Sequence, residues 1–556
     1  MFVVGTVYKH KVFRSRKGVN HLEQLDQRKK VTIMISIMAA MFFAAINMTI
    51  VGTSLPKIIA KIGGMEYFDW VFTIYMLTST ITAMLVGKLS DIYGRKIFIL
   101  IGIAVFMIGA FLSGTSDTIY QLILYRGIQG LGGGMIMSSS FTTIGDLFSP
   151  RERGRWQGLM GAVFGLSSLF GPTLGGYIVD NFDWHWIFWV FLPMGFIAFA
   201  LIWKLYPSHQ RAEKEPVDYL GSFLLTVMIV TLLLGFTWAG GKYDWLSFEI
   251  IGLFSLTILA LIAFIAVERK AKSPVLPLYL FKNSVFTVSN IAGMLVGMGM
   301  FGTIMYVPFY VQGVQGHSAT TSGLIEMVMT ISMVTASAIA GNMITKTGKY
   351  KMIAILGLIV MAGGLVANST LDVHSSLTKL IIQLIVVGIG LGMTMPVFQV
   401  TVQNAVAHKY LGVATSAMQV FRQIGGTIGV AVMGSIMGNL MADKMKSLQP
   451  ENISAPSEMP NMPGEMTSLQ NPQVLMDSSK LEEIRSQLPG QFAEVFDQFI
   501  SMLKEALTYS LSGVFLFGAG IVVLALILTF FLKEVPLRET NDDRENHKKM
   551  ELISNE

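Results

Sequence analysis

The sequence contains no cysteine, which excludes disulfide bonds, thiolate catalysis and cysteine-based metal sites. Charge is also scarce: Asp, Glu, Lys and Arg make up 14% of the 556 residues, whereas 52% are hydrophobic. A water-soluble globule of this size needs many more polar residues to cover its surface. The composition therefore predicts a protein that lies mostly in lipid.

Motifs of the common enzyme classes are missing as well. There is no Gly-x4-Gly-Lys-Ser/Thr phosphate loop, no His-Glu-x2-His metal motif and no Gly-x-Ser-x-Gly nucleophile elbow. We therefore expect no enzymatic activity, no nucleotide and no metal or other cofactor. The net charge of +6 suits loops that face anionic headgroups, so no nucleic-acid partner is needed to explain it.

Apolar runs of about 20 residues recur along the chain, and each is long enough to cross a bilayer as a helix. We count fourteen, which predicts an all-α integral membrane protein with both termini on one side. The predicted spans are 31–55, 67–87, 97–115, 119–142, 156–180, 185–205, 219–240, 247–267, 285–310, 320–342, 352–369, 378–400, 413–438 and 507–532.

The distribution of Lys and Arg predicts the orientation. Of the 41 such residues, 30 fall on the side of the termini and 9 on the opposite side, when Lys204 and Lys379 at span ends are counted with the adjacent loops, and Arg126 and Arg422 lie well inside spans. Basic residues favour the cytoplasmic side, so both termini are expected in the cytoplasm.

Two bundles of six spans with two additional central helices account for the fourteen spans. The predicted segments are a basic cytoplasmic segment at 1–30, a first bundle at 31–205, the two additional helices with their flanking loops at 206–275, a second bundle at 276–532 that includes an external amphipathic segment at 440–505, and a cytoplasmic tail at 533–556. Apolar residues recur at helical spacing from 481 to 503, interrupted at Pro489, which predicts two short amphipathic helices there.

The turn between the second and third spans reads Gly-Lys-Leu-Ser-Asp-Ile-Tyr-Gly-Arg-Lys and is dense in charge. A similar turn follows 254 residues later, although Thr345 replaces the acid, which predicts two halves related by a repeat. The first turn resembles the signature loop of the major facilitator superfamily. That resemblance implies a conformational gating role for Gly87, Asp91, Gly94, Arg95 and Lys96.

Arg126 lies well inside the fourth span, where an unpaired guanidinium is costly. The surrounding Arg-x2-Gln-Gly-x-Gly-Gly is similar to a motif of proton-coupled facilitators, which implies that Arg126 tunes a proton carrier. The alternative is an arginine that pins adjacent helix backbones. The fifth span resembles the antiporter motif of exporters through its small-residue face, Gly165, Gly171, Pro172, Gly175 and Gly176.

Together these motifs resemble the fourteen-span drug/proton antiporters of the EmrB/QacA type over nearly the whole chain. The resemblance implies multidrug efflux across the cytoplasmic membrane of a bacterium, in exchange for protons, by a protein expected to be monomeric. One departure stands out: relatives usually carry an aspartate in the first span where this chain has Asn47, and an amide cannot titrate.

Glu326, near the external start of the tenth span, is the first candidate to replace that acid. A desolvated carboxylate there could take up a proton near neutral pH, although the helix dipole could equally stabilise its charge. Asp69, at the external start of the second span, is an alternative candidate or a solvated N-cap. Asp146 and Asp218 are expected to be caps.

A broad cavity lined by polarizable and polar side chains would suit amphipathic substrates. Each lining residue could instead contact lipid or the core. The candidates are Asn47, Met48, Tyr306, Tyr310, Gln399, Gln403 and Arg422.

Two other functions remain open at this stage. The loss of the first-span acid with retention of Arg126 and Arg422 favours export of a specific metabolite, lipid or bile-acid-like anion. The same loss, with the long external segment, would also fit a transporter-like receptor that moves nothing.

Overall fold

The computed structural model describes residues 25–63, 67–207, 216–240, 242–448, 475, 485–486 and 490–537. Within these ranges the regular elements are helical, and one isolated β-bridge joins Ala239 and Tyr243. The predicted all-α fold is therefore confirmed. The long helices are α1 Gln27–Ile62, α2 Phe68–Tyr93, α3 Arg95–Ser113, α4 Ile119–Leu147, α5 Pro150–Asn181, α6 Leu192–Leu205, α7 Tyr219–Trp238, α8 Phe248–Glu268, α9 Ser284–Pro308, α10 Ala319–Thr347, α11 Lys351–Asn368, α12 Leu377–Asn404, α13 Leu411–Leu448 and α14 Gly490–Phe530.

Short helical segments lie in four of the connections. A single turn, Trp186–Trp189, precedes α6 and completes the sixth crossing, and a π-helical turn, Phe309–Val314, continues α9. Two 3₁₀ turns, Leu278–Lys282 and His408–Tyr410, precede α9 and α13.

Thirteen helices in the described ranges are long and apolar enough to cross a membrane. The helix that falls outside this group is α4, whose second half contains the run Ser138–Thr143 of mainly hydroxyl side chains. It packs against both α2 and α3, and most of its residues are buried, so its polar side chains do not face lipid. With α4 the described ranges contain fourteen long helices.

The chain alternates between two faces of the membrane. We call the face that carries the start of α1 and the end of α14 the terminal face, and the other the opposite face. The turns at Gly94, Gly348 and His408 therefore lie on the terminal face, whereas those at Gly63 and Gly316 lie on the opposite face.

Apolar side chains divide between the two bundles. Two buried clusters belong to α1–α6, and the largest cluster joins α9–α14 to residues of α7 and α8 such as Ile229 and Phe264. The largest cluster also includes Leu77 and Met84 of α2. Because α7 contacts α2 as well as α13, the additional pair of helices borders both bundles.

The last two helices extend beyond their predicted ends on the opposite face. A salt bridge between Lys444 and Glu505 (3.2 Å) joins their extensions. The prediction of a separate short helix at 490–503 is wrong, because α14 runs without interruption from Gly490 to Phe530. Buried Phe496, Leu503 and Leu507 keep one apolar stripe continuous into the membrane span. Of the predicted first short helix, only residues 485–486 are described.

The two bundles share one type of contact, a hydrogen bond from a lysine to a helix-end carbonyl, where their third helices begin. Lys96 of α3 donates to the carbonyl oxygen of Trp203 near the end of α6 (2.6 Å), and Lys351 of α11 donates to that of Phe530 at the end of α14 (2.8 Å). A cation near the carboxyl end of a helix satisfies carbonyls that have no intrahelical partner. The repeat seen in the sequence therefore reappears as matching contacts.

We expect close helix crossings to limit substitution of glycine. A β-carbon on Gly392 of α12 would overlap the carbonyl of Met333 in α10, whereas one on exposed Gly363 of α11 would meet nothing within 4 Å. Gly392→Ala should therefore destabilise the protein by about 1–3 kcal/mol. Gly363→Ala, the matched control, should be neutral or stabilising because alanine favours the helix by about 1 kcal/mol. The midpoint of thermal unfolding in one detergent measures both, and equal shifts would contradict the packing argument.

Candidate functional site

A latch on the terminal face joins the two bundles. The Asp91 carboxylate of α2 accepts hydrogen bonds from the backbone amides of Gly412 (3.1 Å) and Val413 (3.2 Å) in the first turn of α13. These amides have no intrahelical partner, and the positive end of the helix dipole favours the carboxylate. Asp91 is only 4% exposed, so water weakens this attraction little.

Buried charges hold Asp91 in place. The guanidinium of Arg95 pairs with Asp91, donates to the Ser90 hydroxyl and donates through Nε to Asp146 of α4 (3.0 Å). His408 Nε2 lies 3.2 Å from the second oxygen of Asp146. The prediction that Asp146 is a helix cap is wrong: its carboxylate is the partner of Arg95. Asp218 is a cap as predicted, since it accepts from the amide of Gly221 (2.8 Å).

Glycine is required at two places in this latch. Gly94 has φ of 95°, a left-handed conformation that other residues rarely adopt, and it lets α3 begin directly after α2 ends. Gly87 lies against Gly412, and a β-carbon there would come within 2.8 Å of the Gly412 carbonyl oxygen. The amide end of α13 can therefore reach Asp91.

The second turn also joins the bundles, with different chemistry. Gly341 of α10 crosses Gly154 of α5 so closely that a β-carbon on Gly154 would lie 2.6 Å from the Gly341 carbonyl oxygen. Thr345, which replaces the acid, accepts from the backbone amide of Arg155 (3.2 Å). Arg151 donates to the carbonyl oxygens of Thr345 (3.0 Å) and Lys346 at the end of α10. The first bundle thus supplies the carboxylate of Asp91 to the start of α13 and the guanidinium of Arg151 to the end of α10.

The close crossings of α5 with α10 lie towards the terminal face. Along α5, a β-carbon on Gly154, Gly158 or Gly165 would overlap or crowd atoms of α10. Further along, a β-carbon on Gly176 of α5 or Gly323 of α10 would meet no atom within 4 Å. Helices α5 and α10 therefore touch in their terminal halves, and these crossings together with the contacts of Asp91 and Arg151 close the terminal face in this structure.

The antiporter-motif glycines divide between two crossings. A β-carbon on Gly165 would overlap Val334 of α10, and one on Gly171 would overlap the hydroxyl of Thr49 in α1. Thr49 in turn donates to the carbonyl oxygen of Ser167 (2.9 Å). Gly175 is buried and Gly176 lies in open space, while the side chain of Pro172 lies outside the described residues.

A polar chain crosses the interior of the first bundle. Fully buried Arg126 donates through Nη1 to the Gln129 side-chain oxygen (2.6 Å), and Gln129 Nε2 donates to the Asn47 side-chain oxygen (2.8 Å). The Arg126 guanidinium carbon lies 4.4 Å from the centre of the Tyr75 ring, within range of a cation–π interaction. Asn47, which replaces the usual aspartate, is therefore tied to Arg126 through one glutamine.

Glu326 lies on α10 seven residues after its first residue, on the side of the opposite face, and is partly exposed. Its backbone carbonyl accepts from Thr330, which is an ordinary helical contact. Asp69 is in the first turn of α2, directly after Phe68, but its side chain lies outside the described residues. The structure therefore does not bring Glu326 into the polar chain of Arg126.

The cavity candidates occupy different environments. Tyr306 (5% exposed) donates to the Val430 carbonyl oxygen, and Tyr310 (1% exposed) donates to that of Asp372, so both hydroxyls are engaged inside the second bundle. Gln403 bridges the bundles on the terminal face through the Phe141 carbonyl oxygen (3.2 Å). Buried Gln399 leaves its amide nitrogen without a partner. Met48 and Arg422 are partly exposed.

Sequence reasoning missed the residues that complete both sites. Gln129, Asp146 and His408 connect the predicted charges to each other, and Arg151 replaces the acid that the second turn lacks. The spacing of three residues between Arg126 and Gln129, which places both on one helix face, was the available signal. No sequence spacing predicts the pairings between side chains of different helices.

The chain is similar to known membrane transporters. A model of the Major Facilitator Superfamily matches residues 37–430. The "Multidrug transporter protein MdtP" of Bacillus subtilis is 38% identical over 535 residues, which cover 95% of this chain and 98% of the relative. "Multidrug resistance protein 3" of the same organism is 32% identical over 509 residues, covering 91% and 96%.

Solved structures share the fold at low sequence identity. The human organic anion transporter MFSD10 (TETRAN) has a TM-score of 0.58 and 13% identity, covering 90% of this chain and 99% of that one. The proton:xylose symporter XylE has a TM-score of 0.57 and 13% identity, covering 93% and 99%. At this identity the likeness concerns the fold alone. From the family match, the two Bacillus relatives and the helical architecture, the chain belongs to the Major Facilitator Superfamily and is a multi-pass membrane transporter, not an enzyme.

Proposed function

We propose that this protein exports amphipathic drugs or toxic compounds in exchange for protons, as a monomeric fourteen-span antiporter of the cytoplasmic membrane. The two Bacillus relatives named for multidrug transport or resistance support drug efflux. The observation that carries an alternating-access mechanism is the buried latch between Asp91 and the amide end of α13. Such a latch holds one face shut and must break for that face to open.

The distribution of Lys and Arg supports a cytoplasmic location for the terminal face. The state in which the latch is closed is then open towards the outside. Rocking of α1–α6 against α9–α14 would break the contacts of Asp91 and Arg151 and expose the interior to the cytoplasm, where cargo binds.

Proton coupling requires an acid whose charge depends on the open face. Glu326 is our candidate, because it lies about 10 Å along α10 from the opposite face, three residues after Gly323, where a β-carbon would meet no atom within 4 Å. It would take up a proton from outside and release it when the terminal face opens. A membrane potential contributes about 2.3 kcal/mol per 100 mV for each net charge that one exchange cycle moves across the membrane.

Purified protein in proteoliposomes tests the transport function. We expect a compound from a panel of amphipathic cations, neutral molecules and anions to move against its gradient when a pH gradient is imposed. A pH-sensitive dye should show proton movement that depends on that compound. Binding without compound-dependent proton movement would instead indicate a receptor or an uncoupled carrier.

Glu326→Gln tests the proton carrier. The amide cannot bind or release a proton, so export driven by the pH gradient should be lost. Exchange of labelled for unlabelled compound without a gradient should persist. The matched control is Glu249→Gln, which changes an exposed acid in the first turn of α8. A Glu326→Gln protein that still exports and still responds to pH would remove Glu326 from this role.

Asp91→Asn tests the latch. A hydrogen bond to a charged group contributes about 1.5–3 kcal/mol, so its loss should populate the state open at the terminal face. Because the chain lacks cysteine, Ser140→Cys provides a single reporter. Ser140 is buried on α4 three helical turns after Gln129, on the same helix face.

We expect a membrane-impermeant maleimide, applied to vesicles that expose the terminal face, to label this cysteine about tenfold faster in the Asp91→Asn protein. Asp244→Asn, which changes an exposed loop residue on the opposite face, is the control. Equal labelling rates in the Ser140→Cys protein with Asp91 and in the same protein with Asp91→Asn would contradict the gating role of Asp91.

A further inference from the structure

A buried positive charge in the first bundle has no negative partner. Arg126 is 0% exposed, yet its Nε and Nη2 atoms form no hydrogen bond, and Nη1 reaches only the neutral oxygen of Gln129. In the described part of the chain no carboxylate pairs with it. The face of the Tyr75 ring compensates part of the charge. A guanidinium inside a membrane bundle normally pairs with an acid or with backbone carbonyls, because the desolvation cost is large.

The hydrogen bonds between Arg126, Gln129 and Asn47 use every side-chain acceptor at this site and leave nitrogen donors without partners. Gln129 accepts from Arg126 and donates to the oxygen of Asn47, so the oxygens of both amides are engaged. The unpartnered atoms at this site are Arg126 Nε, Arg126 Nη2 and Asn47 Nδ2, all of which donate. Asn47 is also 0% exposed. A ligand that satisfies these three atoms must accept hydrogen bonds, and the unbalanced charge requires it to be an anion.

The shape of the free edge favours a carboxylate. Nε and Nη2 are neighbouring nitrogens of one planar guanidinium and donate in parallel, which matches the two oxygens of a carboxylate. Asn47 is tied to the same guanidinium through Gln129 and can add a third donor. An aspartate at position 47 would fill this role from within the protein, whereas the asparagine leaves it to a ligand.

We propose that Arg126 and Asn47 form a binding site for a carboxylate or similar monovalent anion, carried by the exported compound or supplied as a free ion. This inference deepens the proposed function, on which it rests for the identity of the cargo. None of the three donors is accessible to water in this structure, so the site fills in another state of the transport cycle. The ring of Tyr75 covers the guanidinium in the present state and must move for the anion to enter.

Three probes of similar shape and different charge test the site: benzoate, neutral benzamide and cationic benzamidinium. The readout is the midpoint of thermal unfolding of the purified full chain at neutral pH, since a ligand that binds the folded state raises it. Sodium sulfate keeps the ionic strength constant. A parallel titration with sodium chloride distinguishes a free inorganic anion from a carboxylate of the cargo.

We expect benzoate to raise the midpoint saturably, and benzamide and benzamidinium to have no comparable effect. Arg126→Gln should abolish the benzoate shift, and Asn47→Asp should abolish it because the new carboxylate neutralises the arginine through Gln129. Arg126→Lys keeps the charge but loses the paired edge, so the apparent Kd should rise about tenfold or more. Lys242→Gln, at an exposed loop residue, is the control and should behave like the wild type.

Each outcome decides the inference. A response to benzoate alone supports a carboxylate of the cargo, and competition by chloride supports a free anion at the same site. A benzoate shift no larger than that of benzamide would overturn the inference, as would a shift that survives both Arg126→Gln and Asn47→Asp. The measurement uses no gradient, so failure of proton-driven export would leave its result unchanged and the two proposals can fail separately.

Discussion

Hydrocarbon offers no hydrogen bonds, so a polar group inside this bundle is costly unless the protein or a bound ligand supplies its partner. That constraint explains where the few charges of the chain lie. Asp91, Arg95 and Asp146 neutralise one another on the terminal face, and the remaining capacity of Asp91 is taken up by backbone amides of α13. The connection between the two bundles therefore uses groups that a helix always leaves unpaired at its start.

The two repeated turns show the same constraint with different solutions. The first turn places a carboxylate at the start of α13, whereas at the second an arginine of α5 reaches the end of α10. Both solutions exploit helix ends of suitable polarity, and both depend on glycine crossings that let backbones approach. A repeat that looked degenerate in sequence therefore keeps its role as a contact between bundles. The replacement of an acid by Thr345 changes the chemistry of the contact without removing it.

Sequence predicted the helices well because crossing lipid requires long apolar runs, and this signal is local. It also located Arg126, which breaks an apolar span, and Asn47, which departs from the first-span motif of the family that the chain resembles. The glutamine between them could not be assigned, because the pairing joins α1 to α4 across 82 residues. The sequence predicts a cap at Asp146 for the same reason: its partner Arg95 lies on another helix. The continuity of α14 is not predicted because the apolar run of its span begins only at residue 507, after Lys504 and Glu505, whereas the stripe through Phe496 and Leu503 leads into it.

The proposed transport cycle requires a movement of the two bundles that opens one face as it closes the other, under the control of protonation. Spin labels on a protein that lacks cysteine measure this directly, with one pair at Tyr93 and Lys409 on the terminal face and another at Asn181 and Thr320 on the opposite face. Pulsed electron paramagnetic resonance across a pH titration in lipid nanodiscs should show the two distances changing in opposite directions. Two distances that stay constant, or that rise and fall together, would contradict the account.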